Sequence, residues 1–296
     1  STDGKNWTNI DTEKTPENLL KINLKMPADS VFVARLEPYR ISDLEQLKSE
    51  ISDHPLISIT EIGKTVENRS LEIIRVGHES VPYSVFIRGR AHAWEPGGNW
   101  VIQGLIKRLL KQDEITERYL QRYCVYILPM ANKDRVAHGG TRFNMRGMDL
   151  NRKWDKEADP YLSPENASFE KWLDMKVSEG SKPDLVIDFH NDSEGQIHIA
   201  RPDVNIDGYI ANMKVFETLL KEQTWFTEGS TGGKFRTIGS IGEGMVERFG
   251  IDAFVFELNA NWIAGLNKVP FGKDWELFGE QLCEVFYEYF DKKTSK

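Results

Sequence analysis

"YSVFIRGRAHAWEPGGNWVIQGLIKRLLK", residues 83–111, runs from a β-rich stretch through a polar turn into a segment of helical periodicity. Tyr83–Gly89 reads as a strand. After Gly98 the apolar residues recur at the spacing of one helix face. Working outward, the same alternation continues. "LISITEIG" (56–63), "SLEIIRVG" (70–77), "YCVYILP" (123–129), "PDLVIDFH" (183–190), "QIHIARP" (196–202) and "AFVFEL" (253–258) read as strands. Helices are expected at 42–52, where Ser42 and Glu45 have capping-box spacing, and near 164–180, near 207–222 and from about 274. Strands alternating with helices predict an α/β fold: a mixed, mostly covered central β-sheet with helices on both faces. Residues 1–18 are polar and expected to be loosely ordered. Residues 19–36 read as two short strands around Pro27-Ala28-Asp29. The expected division is an N-terminal segment, 1–35, and one large domain, 36–296.

The composition excludes several classes. The chain of 296 residues is 40% hydrophobic and 28% charged, with a formal charge of -8. That balance argues against a protein held to nucleic acid by charge. No apolar run reaches the roughly 18 residues of a membrane helix, so a soluble chain is expected. Its compartment, cytoplasmic or exported, is left open. The two cysteines, Cys124 and Cys283, lie in apolar stretches and read as buried free thiols rather than a disulfide framework.

In open α/β sheets, sites form at the carboxyl ends of strands. Three sets of chemically capable residues fall there. His92 and Glu95 follow the strand ending at Gly89, His190 ends "LVIDFH", and Glu257 lies near the end of "AFVFEL". Imidazole and carboxylate are ordinary zinc ligands, and a catalytic zinc takes three protein ligands. Asp188, two residues before His190, could orient that imidazole. Each feature also has a plainer reading: His-x-x-Glu as an exposed pair at a helix start, His190 as a hydrogen-bonded core histidine. His54, His78, His138 and His198 have no motif around them. A further segment, "GGTRFNMRGMDLNRKW" (139–154), concentrates arginines around Asp-Leu-Asn-Arg. Arginine offers a planar fork for a carboxylate, although a solvated surface loop would look the same.

Taken in order, these segments resemble the zinc metallocarboxypeptidase family, and within it the cytosolic-carboxypeptidase-like branch. "GRAHAWEPGGNW" is similar to the family's His-x-x-Glu segment with its following Trp and helix. "PMANKDRVAHGGTRFNMRGMDLNRKW" resembles its Asn-x-Asp, arginine, Gly-x-Asp-Leu-Asn-Arg-x-Trp run. "DFHNDSEG" and "FVFELNANW" resemble the strands that supply a third ligand and a catalytic glutamate. The "ARLEPYRISDLEQL" entry resembles that branch, and the likeness extends over about residues 32–290. The resemblance implies a zinc-dependent exopeptidase, with one Zn2+ per chain, acting on the C-terminus of a peptide or protein. It assigns His92, Glu95 and His190 to the metal, and Arg142 to the scissile carbonyl and its oxyanion. Asn151 and Arg152 would hold the substrate's terminal carboxylate. Glu257 would be the general base for the attacking water.

The chain departs from the family pattern in places. No tyrosine occurs in the glycine-rich loop before Glu257. Met245 follows Gly-Glu-Gly where deglutamylating relatives carry a basic residue, which points away from a preference for C-terminal glutamate, although Lys234, Arg236 and Arg248 border the same loop. Asn191 and Asp192 replace a Gly-His pair. The N-terminal segment is expected to be a remnant of that branch's β-sandwich at most. Two other hydrolase readings remain: an aspartoacylase-like acylamino-acid deacylase, which would append a β-domain after the catalytic glutamate, and a murein-peptide amidase. A binding module that kept the fold without turnover is the alternative from another class.

Overall fold

The computed structural model describes residues 1–200, 206–232 and 238–293. They form two compact units, Ser1–Pro38 and Tyr39–Lys296. In the first unit, β1 (Thr12–Lys14) pairs antiparallel with β2 (Leu20–Ile22), with Thr12 opposite Ile22. The reversal is not at Pro27-Ala28-Asp29, as the sequence reading expected. Asn18 takes a left-handed φ of 62° and its N–H donates to the Thr15 carbonyl, so the chain turns there instead.

The second unit holds a mixed seven-stranded sheet in the order β3-β4-β6-β5-β7-β9-β8. The strands are β3 (Ile57–Lys64), β4 (Ser70–Val76), β5 (Tyr83–Gly89), β6 (Tyr123–Leu128), β7 (Leu185–Asp192), β8 (Ile197–Ile199) and β9 (Asp252–Asn259). The central pairs β6–β5, β5–β7 and β7–β9 are parallel, and the outer pairs are antiparallel. Tyr123–Leu128 is buried at every position, the pattern of a strand covered on both faces.

Strand alternation divides the side chains between two helical layers. On one face, Phe86 stacks on Phe169 of α5 (Pro164–Ser178) with ring centroids 4.3 Å apart, and Ile241 and Met245 of α7 (Ile241–Phe249) join the same core. On the other, Phe254 meets Phe216 of α6 (Ile206–Gln223) and Phe256 meets Phe278 of α8 (Gly272–Lys292). The predicted fold class is the one observed. Cys124 and Cys283 are both buried and unbridged.

Several local features differ from the sequence reading; α7, for one, begins inside what read as a glycine-rich loop. The first helix, α1 (Ile41–Ile51), is capped at Arg40 rather than Ser42: the Asp43 carboxylate accepts from the Arg40 N–H at 2.6 Å. A short helix not anticipated, α3 (Glu114–Arg122), starts where the Asp113 carboxylate accepts from the Thr116 N–H at 2.8 Å. The remaining helices are α2 (Gly97–Leu109) and α4 (Lys133–Ala137).

Helix α2, which begins two residues after Glu95, lies against α8 through glycine. A Cβ on Gly104 would sit 2.0 Å from the Glu276 carbonyl oxygen, and one on Gly279 the same distance from that of Val101. Helix propensity alone favours Gly→Ala by about 1 kcal/mol. The backbone contact opposes it, since overpacking costs roughly 1–3 kcal/mol. Gly104→Ala should therefore lower unfolding stability in a urea titration; a rise would mean that the two helices are not in contact at that point.

Candidate metal centre

The turn after β5 is held by buried polar contacts. Arg90 has a φ of 59°, and its guanidinium donates to the Ala93 carbonyl at 2.7 Å and to Asn99 Oδ1 at 2.9 Å. Asn132 Nδ2 donates to the carbonyls of Ala91 and Arg142, fastening this turn to the arginine-rich segment. Helix α2 then begins at Gly97, whose N–H donates to Asn191 Oδ1 at 2.8 Å, while Asn191 Nδ2 donates to the Leu258 carbonyl. Asn191 stood out in the sequence only as a departure. Here it ties β7, β9 and the first turn of α2 together.

His92, Glu95 and His190 converge. His92 Nδ1 lies 2.9 Å from Glu95 Oε1, His190 Nδ1 lies 2.7 Å from Glu95 Oε2, and the two Nδ1 atoms are 3.0 Å apart. Relative exposures of 3%, 3% and 0% exclude water as the general solvent of this cluster. The far side of each ring meets a carboxylate: His92 Nε2 is 3.0 Å from Asp149 Oδ1, and His190 Nε2 is 2.7 Å from Asp188 Oδ2. An ionised carboxylate only accepts, so each Nε2 carries its proton toward it. In the neutral rings both Nδ1 lone pairs then point at each other and at Glu95. Such a set of acceptors needs protons or a cation between them, and its composition suits zinc.

The titration behaviour without a cation shows the same tension. Burial opposes charging His190, yet the Asp188 and Glu95 carboxylates outweigh it and raise the imidazole well above its usual range. Burial likewise works against Glu95, but His190 and then His92 hold it down at about 2.

A buried ion pair lies beneath the cluster. Arg88 Nε and Nη2 donate to the two oxygens of Asp188 at 2.8 and 2.6 Å, and both side chains are inaccessible to solvent. Arg88 Nη1 donates to the Leu150 carbonyl and Asn166 Oδ1, and its guanidinium lies 5.2 Å over the Trp154 ring. Trp154 Nε1 and Asn166 Nδ2 donate to the same Leu150 carbonyl. The Asp-Leu-Asn-Arg segment is thus clamped from below.

Arg142 donates through Nε and Nη2 to Asp149 Oδ2 at 2.8 and 2.7 Å, which links it through Asp149 to His92. Asn151 is buried, and its Oδ1 accepts from the Ile241 N–H at the start of α7. Arg152 Nη1 donates to the Asn151 carbonyl, and the residue borders a cavity of about 140 Å³ between this loop and α5. None of the three converging residues lines that cavity. Glu257 is directly opposite His190 across the parallel β7–β9 pair, so both side chains leave the same face. Its Oε2 is buried with no hydrogen-bond partner among the described residues. Burial pushes its carboxyl up to about 8; His190 opposes this, while Glu95, Asp192 and Asp188 add to it.

Asp149 and Arg88 escaped the sequence reading. Asp149 sat unremarked inside "MDLNR", and Arg88 was a charge inside an otherwise apolar strand, the signal that could have revealed it. Met245 is fully buried and packs with Trp154, Ile241 and Val255, so it says nothing about which C-terminal residue a substrate carries. Arg248 is taken up by the Trp154 and Lys156 carbonyls and by Glu170. Lys234 and Arg236 lie outside the described residues. Of the histidines without a motif, His138 meets Glu67 and His54 accepts from the Leu56 N–H. His198, however, stands beside Asp192 and Glu257.

The zinc carboxypeptidase family profile matches residues 42–195, and the chain belongs to that family. Cytosolic carboxypeptidase 4 of Mus musculus is 31% identical over 140 residues, which are 47% of this chain and 12% of that protein. The human protein of the same name gives the same identity and coverage, so this chain spans a small part of those relatives. The metallo-carboxypeptidase structure from Burkholderia cenocepacia superposes with a TM-score of 0.87 at 22% identity, over 99% of this chain and 80% of that one. The Pseudomonas aeruginosa metallo-carboxypeptidase, in complex with (2-guanidinoethylmercapto)succinic acid, superposes at 0.84 and 22% over the same shares. These two likenesses are of fold.

Burial opposes ionisation of Asp188, but Arg88 and then His190 outweigh it and hold the carboxylate well below its usual range. Arg88→Met strands this charge, and breaking a buried pair costs about 3–5 kcal/mol. A depressed carboxylate contributes stability above its unfolded value, near 3.8, and loses it as pH falls further. The stability gap between wild type and Arg88→Met, measured by denaturant at each pH, should thus narrow below that value. A gap that is constant with pH would remove the ion pair from this account.

Proposed function

We propose that this chain is a zinc-dependent exopeptidase that hydrolyses the C-terminal peptide bond of a peptide or protein. The observation carrying this reading is the convergence of His92 Nδ1, His190 Nδ1 and Glu95 within a buried pocket of acceptors. His92, Glu95 and His190 would hold one zinc ion. Zinc bound there would supply Lewis acidity toward the scissile carbonyl and the attacking water.

The chain's own groups account for the remaining work. Asp149 and Asp188 keep protons on the two Nε2 atoms and so aim both Nδ1 atoms inward. Glu257 takes the proton of the attacking water on its carboxylate and hands it to the leaving amine. Its burial keeps it basic enough for that transfer. Arg142 stabilises the negative charge that develops on the carbonyl oxygen; losing one such donor typically costs about 3–4 kcal/mol of barrier. Asn151 and Arg152 bind the terminal carboxylate, which fixes the bond presented to the site.

The deacylase reading has less support, because the matching family and the named relatives are carboxypeptidases. A murein-peptide amidase would be a substrate variant of the same chemistry. The full set of donors and Glu257 also speaks for turnover over a binding module. The unit Ser1–Pro38, read as a β-sandwich remnant, keeps that reading on resemblance alone. No helix among the described residues is long and apolar enough to cross a membrane.

Glu257→Gln should keep one zinc per chain by elemental analysis and lose about 10²–10⁴ in turnover, the usual contribution of a general base. Loss of zinc with activity retained would exchange its role for that of a ligand. A blocked dipeptide with a free C-terminal carboxylate should be cleaved far faster than its amide, because charge-assisted pairs are about twice as strong as neutral ones. Arg152→Ala should abolish that discrimination while leaving zinc bound. Equal cleavage of acid and amide by the wild type would end the exopeptidase reading.

A further inference from the structure

Asn191 joins three segments that each carry a residue of the site. It follows His190 in β7. Its Oδ1 accepts from the N–H of Gly97, two residues after Glu95, at 2.8 Å. Its Nδ2 donates to the carbonyl of Leu258, the residue after Glu257, at 3.0 Å. Side chains alternate along a strand, so Asn191 leaves β7 on the face opposite His190. The first turn of α2 lies on that face, where a Cβ added to Gly98 would stand 2.5 Å from the Phe189 Cβ. The contact with Gly97 is as close: a Cβ there would lie 2.7 Å from Asn191 Nδ2 and 2.8 Å from its Oδ1. Asn191 is only 2% exposed, so losing either bond strands a buried polar group. A carboxamide accepts through one atom and donates through another. An ionised aspartate would lose the donor, and glycine or alanine would lose both bonds.

We propose that Asn191 is a positioning residue for the hydrolysis: its one carboxamide fixes where Glu95 and Glu257 stand relative to His190. The inference rests on the reading of His92, Glu95 and His190 as metal donors and of Glu257 as base. The His190 ring is already oriented by Asp188. Glu95 reaches the cluster from a turn whose exit into α2 is held at Gly97. Glu257 Oε2 has no hydrogen-bond partner among the described residues, so its backbone sets its place. Asn191 holds that backbone one residue further on and ties it to the start of α2. Metal side and base side are thereby kept in one frame. A displacement of about 1 Å at such a distance from the chemistry is enough to cost about 10²-fold in rate.

The test compares Asn191→Ala and Asn191→Asp with the wild type at about pH 8, where an ionised carboxylate accepts and does not donate. Zinc affinity is read by competition with a chelator, kcat and KM on a blocked dipeptide, and stability by denaturant. Asn191→Ala loses both bonds. It should lose about 10–100-fold in zinc affinity and in kcat, the usual effect of removing a group that orients ligands. KM should stay near the wild-type value, because Asn151 and Arg152 are held by separate contacts. Asn191→Asp keeps the bond to Gly97 and loses the one to Leu258. Its zinc affinity should therefore stay close to wild type while kcat falls. A purely structural role would lower stability and leave zinc affinity and kcat of the folded protein unchanged, and that result overturns the proposal. An Asn191→Asp variant with wild-type kcat overturns it as well. If Asn191→Ala does not fold, Asn191→Asp, which has nearly the same shape, decides alone. Failure of the parent reading shows in other measurements: a wild type that takes up no zinc, or Glu257→Gln at full turnover.

Discussion

The Arg88–Asp188 pair is the constraint on which the site's construction depends. Neither group reaches solvent, so each must be satisfied by protein, and the remaining valences of each reach outward. Asp188 turns its second interaction to His190 and decides which ring nitrogen faces the cluster. Arg88 turns to the Leu150 carbonyl and Asn166 and so positions the segment containing Asp149, Asn151 and Arg152. One pair thus sets the tautomer of a candidate ligand and the height of the arginine-bearing loop. A pair of hydrophobic residues can pack as stably as a buried ion pair, but it orients neither.

The parallel strands extend this arrangement sideways. Arg88, Asp188 and Val255 lie in one row across β5, β7 and β9, and His190 and Glu257 lie in the row above. The row below is apolar, Phe86, Val186 and Ala253, and Arg88, Asp188, His190 and Glu257 stand nearer the carboxyl ends of these three strands. The change from packing to chemistry occurs over about one residue repeat, some 7 Å along the strand. The apolar rows hold the strands in register, and that register gives the site its spacing.

The strands and most helices were legible because their apolar periodicity is strong and their lengths are ordinary. The residues of the converging cluster were legible because His-x-x-Glu and a histidine at a strand end are local patterns. What could not be read depended on contacts between distant parts of the chain. Asp149 is chemically unremarkable until His92 is placed beside it, and Arg88 looks like an intruder until Asp188 is 2.6 Å away. Met245 shows the opposite failure: a loop position in the sequence became a core position once α7 folded over Trp154. The N-terminal hairpin was displaced because a turn at Asn18 depends on one residue's backbone freedom, which apolar patterning does not report.

The glycine contact between α2 and α8 also bears on how the chain is made. His92, Glu95 and His190 emerge from a ribosome well before Gly279, so a partly synthesised chain already carries the donors of the first cluster. The inner face of α2 then has no α8 to cover it, and β7 lacks β9 and with it Glu257. A nascent chain at that stage can gather these donors but has no Glu257 beside them. The full arrangement arrives only when the late strand and helix dock, so the site is completed last although its first residues are made early.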